Sequence, residues 1–154
     1  MAEPGLNYRL SDIHCALGLS QLGKLGQFIS RRRALVEQYD QLLAPLAPLV
    51  RPVGRRPDGR PAWHLYPVLI DFDAAPIDRA ALMRRLAERG IGTQVHYLPV
   101  HLQPYYRDRY GAIDLPGAEA YYRACLSLPL FPAMAESDPG RVVEALAECL
   151  GVSV

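Results

Sequence analysis

Lysine is almost missing from this sequence. Of 17 cationic side chains, sixteen are arginine, and Lys24 is the only lysine. Chemistry that needs a side-chain amine therefore has one residue to draw on. Cysteine is scarce too: Cys15, Cys125 and Cys149 are odd in number and form no C-x-x-C pair. That spacing excludes a disulfide framework and a thiolate zinc site. The three thiols are expected to be buried, in a cytoplasmic protein. There is no signal-peptide pattern and no apolar run long enough to span a bilayer, so neither secretion nor membrane insertion is expected. A net charge of +1 sets up no global attraction for nucleic acid or membrane. The G-x-G-x-x-G, G-K-[ST] and G-x-S-x-G patterns are all absent, which argues against the usual phosphate loops and a hydrolase elbow.

What is present reads as one globular domain. The chain has 154 residues, half of them hydrophobic and 21% charged, enough to bury a core. Ser11 or Asp12 caps a helix that continues, with a kink at its glycines, to about Leu43. Its apolar residues Leu25, Phe28, Ile29, Leu35, Val36, Tyr39, Leu42 and Leu43 fall on one face. Residues 44–61 are rich in proline and glycine and are expected to be a boundary or long connection. "AWHLYPVLIDF" (62–72) is strand-like, with Pro67 assigning it to a sheet edge or a bulge. A helix follows over Ile77–Arg89, with Leu82, Met83 and Leu86 inward and Gly90 as its stop. "IGTQVHY" (91–97) predicts a second strand. A short helical turn, a helix near Gly117–Leu126 and an extended "LSLPLFP" come next. The last helix starts at Asp138 and buries Val142, Val143, Leu146 and Leu150. This order predicts a small α/β layer domain.

The segment "QVHYLPVH" (94–101) concentrates the polar chemistry. A metal site, an acid/base pair, a sugar-binding lip and two solvated imidazoles at a strand end all explain it. Zinc needs three or four ligands, and no carboxylate or thiolate cluster lies nearby in sequence, so no metal is expected. No nucleophile stands beside a base, and no catalytic residue is assigned in this chain. "RRR" (31–33) reads as a solvated helix face, since no aromatic platform accompanies it.

Four segments acquire a second meaning together: "NYRLSDIHCALGLSQLGKLGQFISRRR", "AWHLYPV", "RGIGTQVHYLPVHLQPYY" and "AEAYYRACLSLPLFPAM". In this order and spacing they resemble the C-terminal part of the DegT/DnrJ/EryC1/StrS sugar aminotransferases, which use pyridoxal 5'-phosphate (PLP). Within that family the similarity points to the branch of the pseudaminic-acid pathway that aminates C4 of a UDP-linked 4-keto-6-deoxy-N-acetyl sugar. The resemblance implies the small C-terminal domain of a fold-type I PLP-dependent transferase. Residues 1–44 would be a long helical segment on the dimer and large-domain side, 45–61 a connection, and 62–154 a small α/β domain. It implies a homodimer, with glutamate as amino donor. Asn7 would reach the PLP phosphate of the partner subunit, and Arg9 would hold anionic nucleotide groups beside it. His96, Tyr97 and His101 match an "HY-x-P-x-H" segment lining the sugar-nucleotide side of the cleft. His14 and Cys15 replace residues common in the family and are assigned to packing. The family's Schiff-base lysine belongs to an N-terminal region with no match here. The chain is therefore expected to be a fragment or split-gene product, inactive as a transaminase by itself; the alternative is a stand-alone, non-catalytic domain that binds a partner aminotransferase subunit or a nucleotide sugar.

Overall fold

A computed structural model describes residues 8–153. The first helix, α1 (Asp12–Leu22), starts at Ser11, whose hydroxyl accepts the His14 backbone N–H. The expected long helix breaks at Gly23–Lys24 and resumes as α2 (Leu25–Leu43). The two pieces differ in what they bury. α2 puts Leu35, Val36, Tyr39 and Leu43 into the core, with Phe28 and Ile29 half-buried, whereas α1 buries no residue at all. Ile13, Leu17 and Leu19 lie exposed along α1.

A three-stranded antiparallel sheet forms the other layer, in the order β1 (Val50–Pro52), β2 (Tyr66–Ile70), β3 (Cys125–Leu128). Tyr66, Val68 and Ile70 point from β2 into the core shared with α2, α3 (Arg79–Glu88) and α6 (Asp138–Leu150). On α6 the residues Val142, Val143, Leu146 and Leu150 are all buried, at the helical spacing the sequence predicts. α3 is capped by the Asp78 carboxylate, which accepts the Ala81 N–H at 2.7 Å, and buries Leu82 and Leu86 before Gly90 turns away at φ +72°. On the opposite face of the sheet, Leu69 shares a shallow cleft with Ala120 and Ala124 of α5 (Pro116–Ala124). Helices thus flank the sheet, and the α/β reading holds.

Several expectations need correction. The connection over 44–61 contains a short 3-10 turn (Ala44–Leu46) and an edge strand, β1. β2 is the central strand, not an edge, despite Pro67. The reason is local. Ser127, opposite Pro67, directs its own N–H and C=O to Gln94 on its far side, so the Pro67–Ser127 pair exchanges no ladder bonds. Towards β1 the pairing has already ended, at Pro52 with Val68. A missing N–H costs nothing at such a position. The strand expected over 91–97 shrinks to a single bridge, Gln94 with Ser127. The helix expected near 117–126 ends at Ala124, and β3 begins at once.

The cysteine and arginine readings change as well. Cys125 and Cys149 are buried but Cys15 is exposed, as is His14, so neither α1 residue serves packing within this chain. Burial pushes the Cys125 thiol up, with the Arg79 guanidinium pulling the other way. Of the three arginines over 31–33, only Arg33 is fully exposed. Arg31 donates to the Met134 carbonyl at 2.7 Å, and Arg32 is half-buried.

Two tyrosines join the layers. The rings of Tyr39 on α2 and Tyr66 on β2 stack with centroids 4.7 Å apart. The Tyr39 hydroxyl donates to the Pro129 carbonyl at 3.0 Å, and the Tyr66 hydroxyl donates to Asp40 at 2.6 Å. Burial raises both phenols well above their ordinary range. The Asp138 carboxylate adds to this at Tyr39, and the Asp40 hydrogen bond does so at Tyr66. In the unfolded chain both ionise near pH 10, while in the native state they stay neutral. Above about pH 10 the unfolded state is therefore favoured, and the stability these groups contribute at lower pH is lost as pH rises. The urea midpoint should hold steady up to about pH 10 and fall beyond it, and Tyr39→Phe should flatten that fall. An equally steep fall in the variant would show that Tyr39 takes no part.

Candidate functional site

The segment carrying the expected site residues runs from Gln94 to His101 along the free side of β3. Its start is fixed by backbone bonds: Ser127 N–H donates to Gln94 O at 2.8 Å, and Gln94 N–H donates to Ser127 O at 3.2 Å. The side chain of the same serine holds the next contact. Ser127 Oγ is buried and shares a hydrogen bond of 2.8 Å with His96 Nδ1. The peptide between His96 and Tyr97 is cis, and the two rings meet edge to face at 4.7 Å.

Beyond Pro99 a 3-10 turn (Val100–Leu102) carries His101 inward. That residue is only 8% exposed, and its Nε2 donates to Glu119 Oε1 of α5 at 3.1 Å. Glu119 also lies within 4.0 Å of Arg123. The three residues matched by sequence are therefore neighbours with different surroundings. His96 and His101 each point to a partner on the body of the domain, whereas Tyr97 is 70% exposed. Next along the chain, α4 (Pro104–Tyr110) presents Tyr105, Tyr106 and Tyr110 to solvent, with Tyr106 and Tyr110 stacked at 6.4 Å. The surface is rich in phenol faces and hydroxyls, the type of lining that suits a sugar or a base.

Ser127 and Glu119 are the residues that sequence reasoning missed. Their partners lie 31 and 18 positions away, and only the docking of the segment onto β3 and α5 reveals the pairing. Of the two phosphate-side residues, Asn7 lies outside the described residues. Arg9 is exposed just ahead of α1.

Among the described residues the fit to PLP is poor: Lys24 is exposed at the break between α1 and α2, where none of them shields an amine–aldehyde linkage from water. Among the described residues there is also no group of histidine, cysteine, aspartate and glutamate suited to a metal ion.

Residues 1–147 match the DegT/DnrJ/EryC1/StrS aminotransferase family. The chain belongs to that family. Solved structures agree. DesV of S. venezuelae, seen in complex with a ketimine intermediate, is 34% identical with a TM-score of 0.84, over 99% of this chain and 40% of DesV. PseC of Helicobacter pylori, an aminotransferase involved in the biosynthesis of pseudoaminic acid, is 28% identical with a TM-score of 0.86, over 97% of this chain and 40% of PseC. Spr1654 of Streptococcus pneumoniae in its PLP form is 25% identical with a TM-score of 0.85, over 97% of this chain and 38% of Spr1654. The chain thus spans about two fifths of the length of these relatives. Neither identity nor fold singles out the pseudaminic-acid branch.

The two side-chain anchors make a local prediction. Ser127→Ala should leave His96 Nδ1 without its partner and raise amide exchange over residues 95–101 about tenfold, with global stability lowered by only about 1 kcal/mol. Exchange that stays unchanged would mean that the backbone bridge at Gln94 holds the segment alone.

Proposed function

We propose that this chain is the sugar-side, C-terminal portion of a PLP-dependent nucleotide-sugar aminotransferase. The reaction moves an amino group from glutamate to the C4 keto carbon of a UDP-linked 4-keto-6-deoxy-N-acetyl sugar, in a pathway of the pseudaminic-acid type. The observation that carries this reading is the family match along nearly the whole chain, joined by folds shared with DesV and PseC. Bound PLP supplies the electron sink for amine transfer. On this reading the lysine that links PLP and moves its protons belongs to the remainder of the enzyme, and this chain alone is inactive.

Within it, Tyr97 is the tip that meets the sugar, and His96 and His101 set its height. Arg9 and Asn7 serve the nucleotide phosphates and the partner subunit's PLP phosphate. The exposed apolar residues of α1, Ile13, Leu17, Leu19 and Leu22, support that arrangement. An 11-residue helix burying nothing in its own domain is marginal alone and is best stabilised against the rest of the enzyme or the second subunit of a homodimer. The working compartment is the cytoplasm.

Two measurements test this reading. In the active enzyme carrying this chain, Tyr97→Phe should raise KM for the keto-sugar nucleotide about tenfold and leave the glutamate half-reaction nearly unchanged in single-turnover kinetics. Equal damage to both half-reactions would remove Tyr97 from the sugar contact. The chain by itself, mixed with PLP, reduced with borohydride and peptide-mapped, should carry no stoichiometric pyridoxyl group on Lys24. A full adduct accompanied by turnover would show that the chain is a complete catalyst.

A further inference from the structure

A second cleft, of about 770 Å³, opens between α2 and the loop leading into β2. Its volume is in the range of small-molecule sites. Arg33 and Glu37 line it from the helix, and Arg55, Arg56, Arg60 and Trp63 from the loop. His96, Tyr97 and His101 do not touch it. Four arginines and one glutamate line the cleft, and Asp40 and Asp58 pair with two of the arginines, so the positive charge left to a ligand is that of Arg33 and Arg60 beside Glu37.

The arginines are not equivalent. Arg55 is locked: its two terminal nitrogens donate to the two Asp40 oxygens at 2.5 and 2.7 Å, and its guanidinium lies 4.5 Å from the centre of the Trp63 ring. Arg56 is held by Asp58 at 3.1 and 3.2 Å. Arg33 and Arg60 have no ion-pair partner among the described residues, and both are exposed. One comes from the helix wall and one from the loop wall. Guanidinium forks suit phosphate oxygens, and the Arg55–Trp63 stack behind them, its charge balanced by Asp40, gives a fixed flat floor.

We propose that this cleft binds a diphosphate group, gripped by Arg33 and Arg60 above the Arg55–Trp63 stack. Two uncommitted cations on separate walls match an anion whose charge is spread over two phosphorus centres better than they match a single carboxylate. The group arrives as inorganic pyrophosphate or as part of a nucleoside diphosphate. The inference stands apart from the Tyr97 lip and does not rest on the aminotransferase reading.

Trp63 is the only tryptophan and lines the cleft, so tryptophan fluorescence, excited beyond the tyrosine band, reports on it. The 154-residue chain should be titrated with inorganic pyrophosphate, UDP and ADP at constant ionic strength, with potassium chloride as control. A saturable change in fluorescence is expected. Arg33→Ala and Arg60→Ala should each weaken it about tenfold, Arg33→Lys less, and Arg84→Ala, an exposed arginine of α3 outside the cleft, not at all. Tighter binding of UDP or ADP than of pyrophosphate would identify a nucleoside diphosphate, and equal binding the free anion. No saturable change with any of the three, or full binding retained by the Arg33→Ala, Arg60→Ala double variant, would overturn the proposal. So would an oligoglutamate peptide that binds more tightly than every diphosphate, since that is the behaviour of a protein-docking face.

Discussion

Ser127 turns its backbone away from β2, and much of the rest follows. A strand residue sends its N–H and C=O to the same side, so it can complete hydrogen bonds with only one neighbour. Ser127 gives both to Gln94. That choice permits a proline in the middle of the central strand, because Pro67 sits where no donor is required. It also stitches the 94–101 segment to the sheet and leaves the Ser127 hydroxyl free to meet His96. One residue thus reconciles a strand breaker with a sheet and a polar lip with a buried edge.

The helices were the most legible part of the sequence. The cap at Ser11, the apolar spacing of α3 and α6, and the glycines at 23 and 90 all act within a few positions of one another. The sheet was harder because its register is set by partners far away. Pro67 reads as an edge signal until Ser127 is placed opposite it, and "IGTQVHY" alternates like a strand although Gln94 alone finds a ladder partner. β1 stayed hidden in a proline-rich stretch because three residues carry no periodicity.

The candidate site was legible in composition but not in division of labour. Sequence gathers two histidines and a tyrosine and treats them alike. The fold separates them by burial: an imidazole facing a carboxylate, another facing a hydroxyl, and a phenol facing water. Packing also reverses the reading of α1, where Cys15 and His14 lie outside the core. Its apolar residues Ile13, Leu17, Leu19 and Leu22 are spread around the helix, and none is buried.

α5 passes directly into β3, with no loop between Ala124 and Cys125. Glu119 and Ser127, the two anchors of the lip, are therefore mounted on one continuous bracket. Because β3 is paired with β2, that bracket is part of the sheet, and both histidines are held at one position relative to the core. A lip seated in this way moves with the whole domain and not on its own.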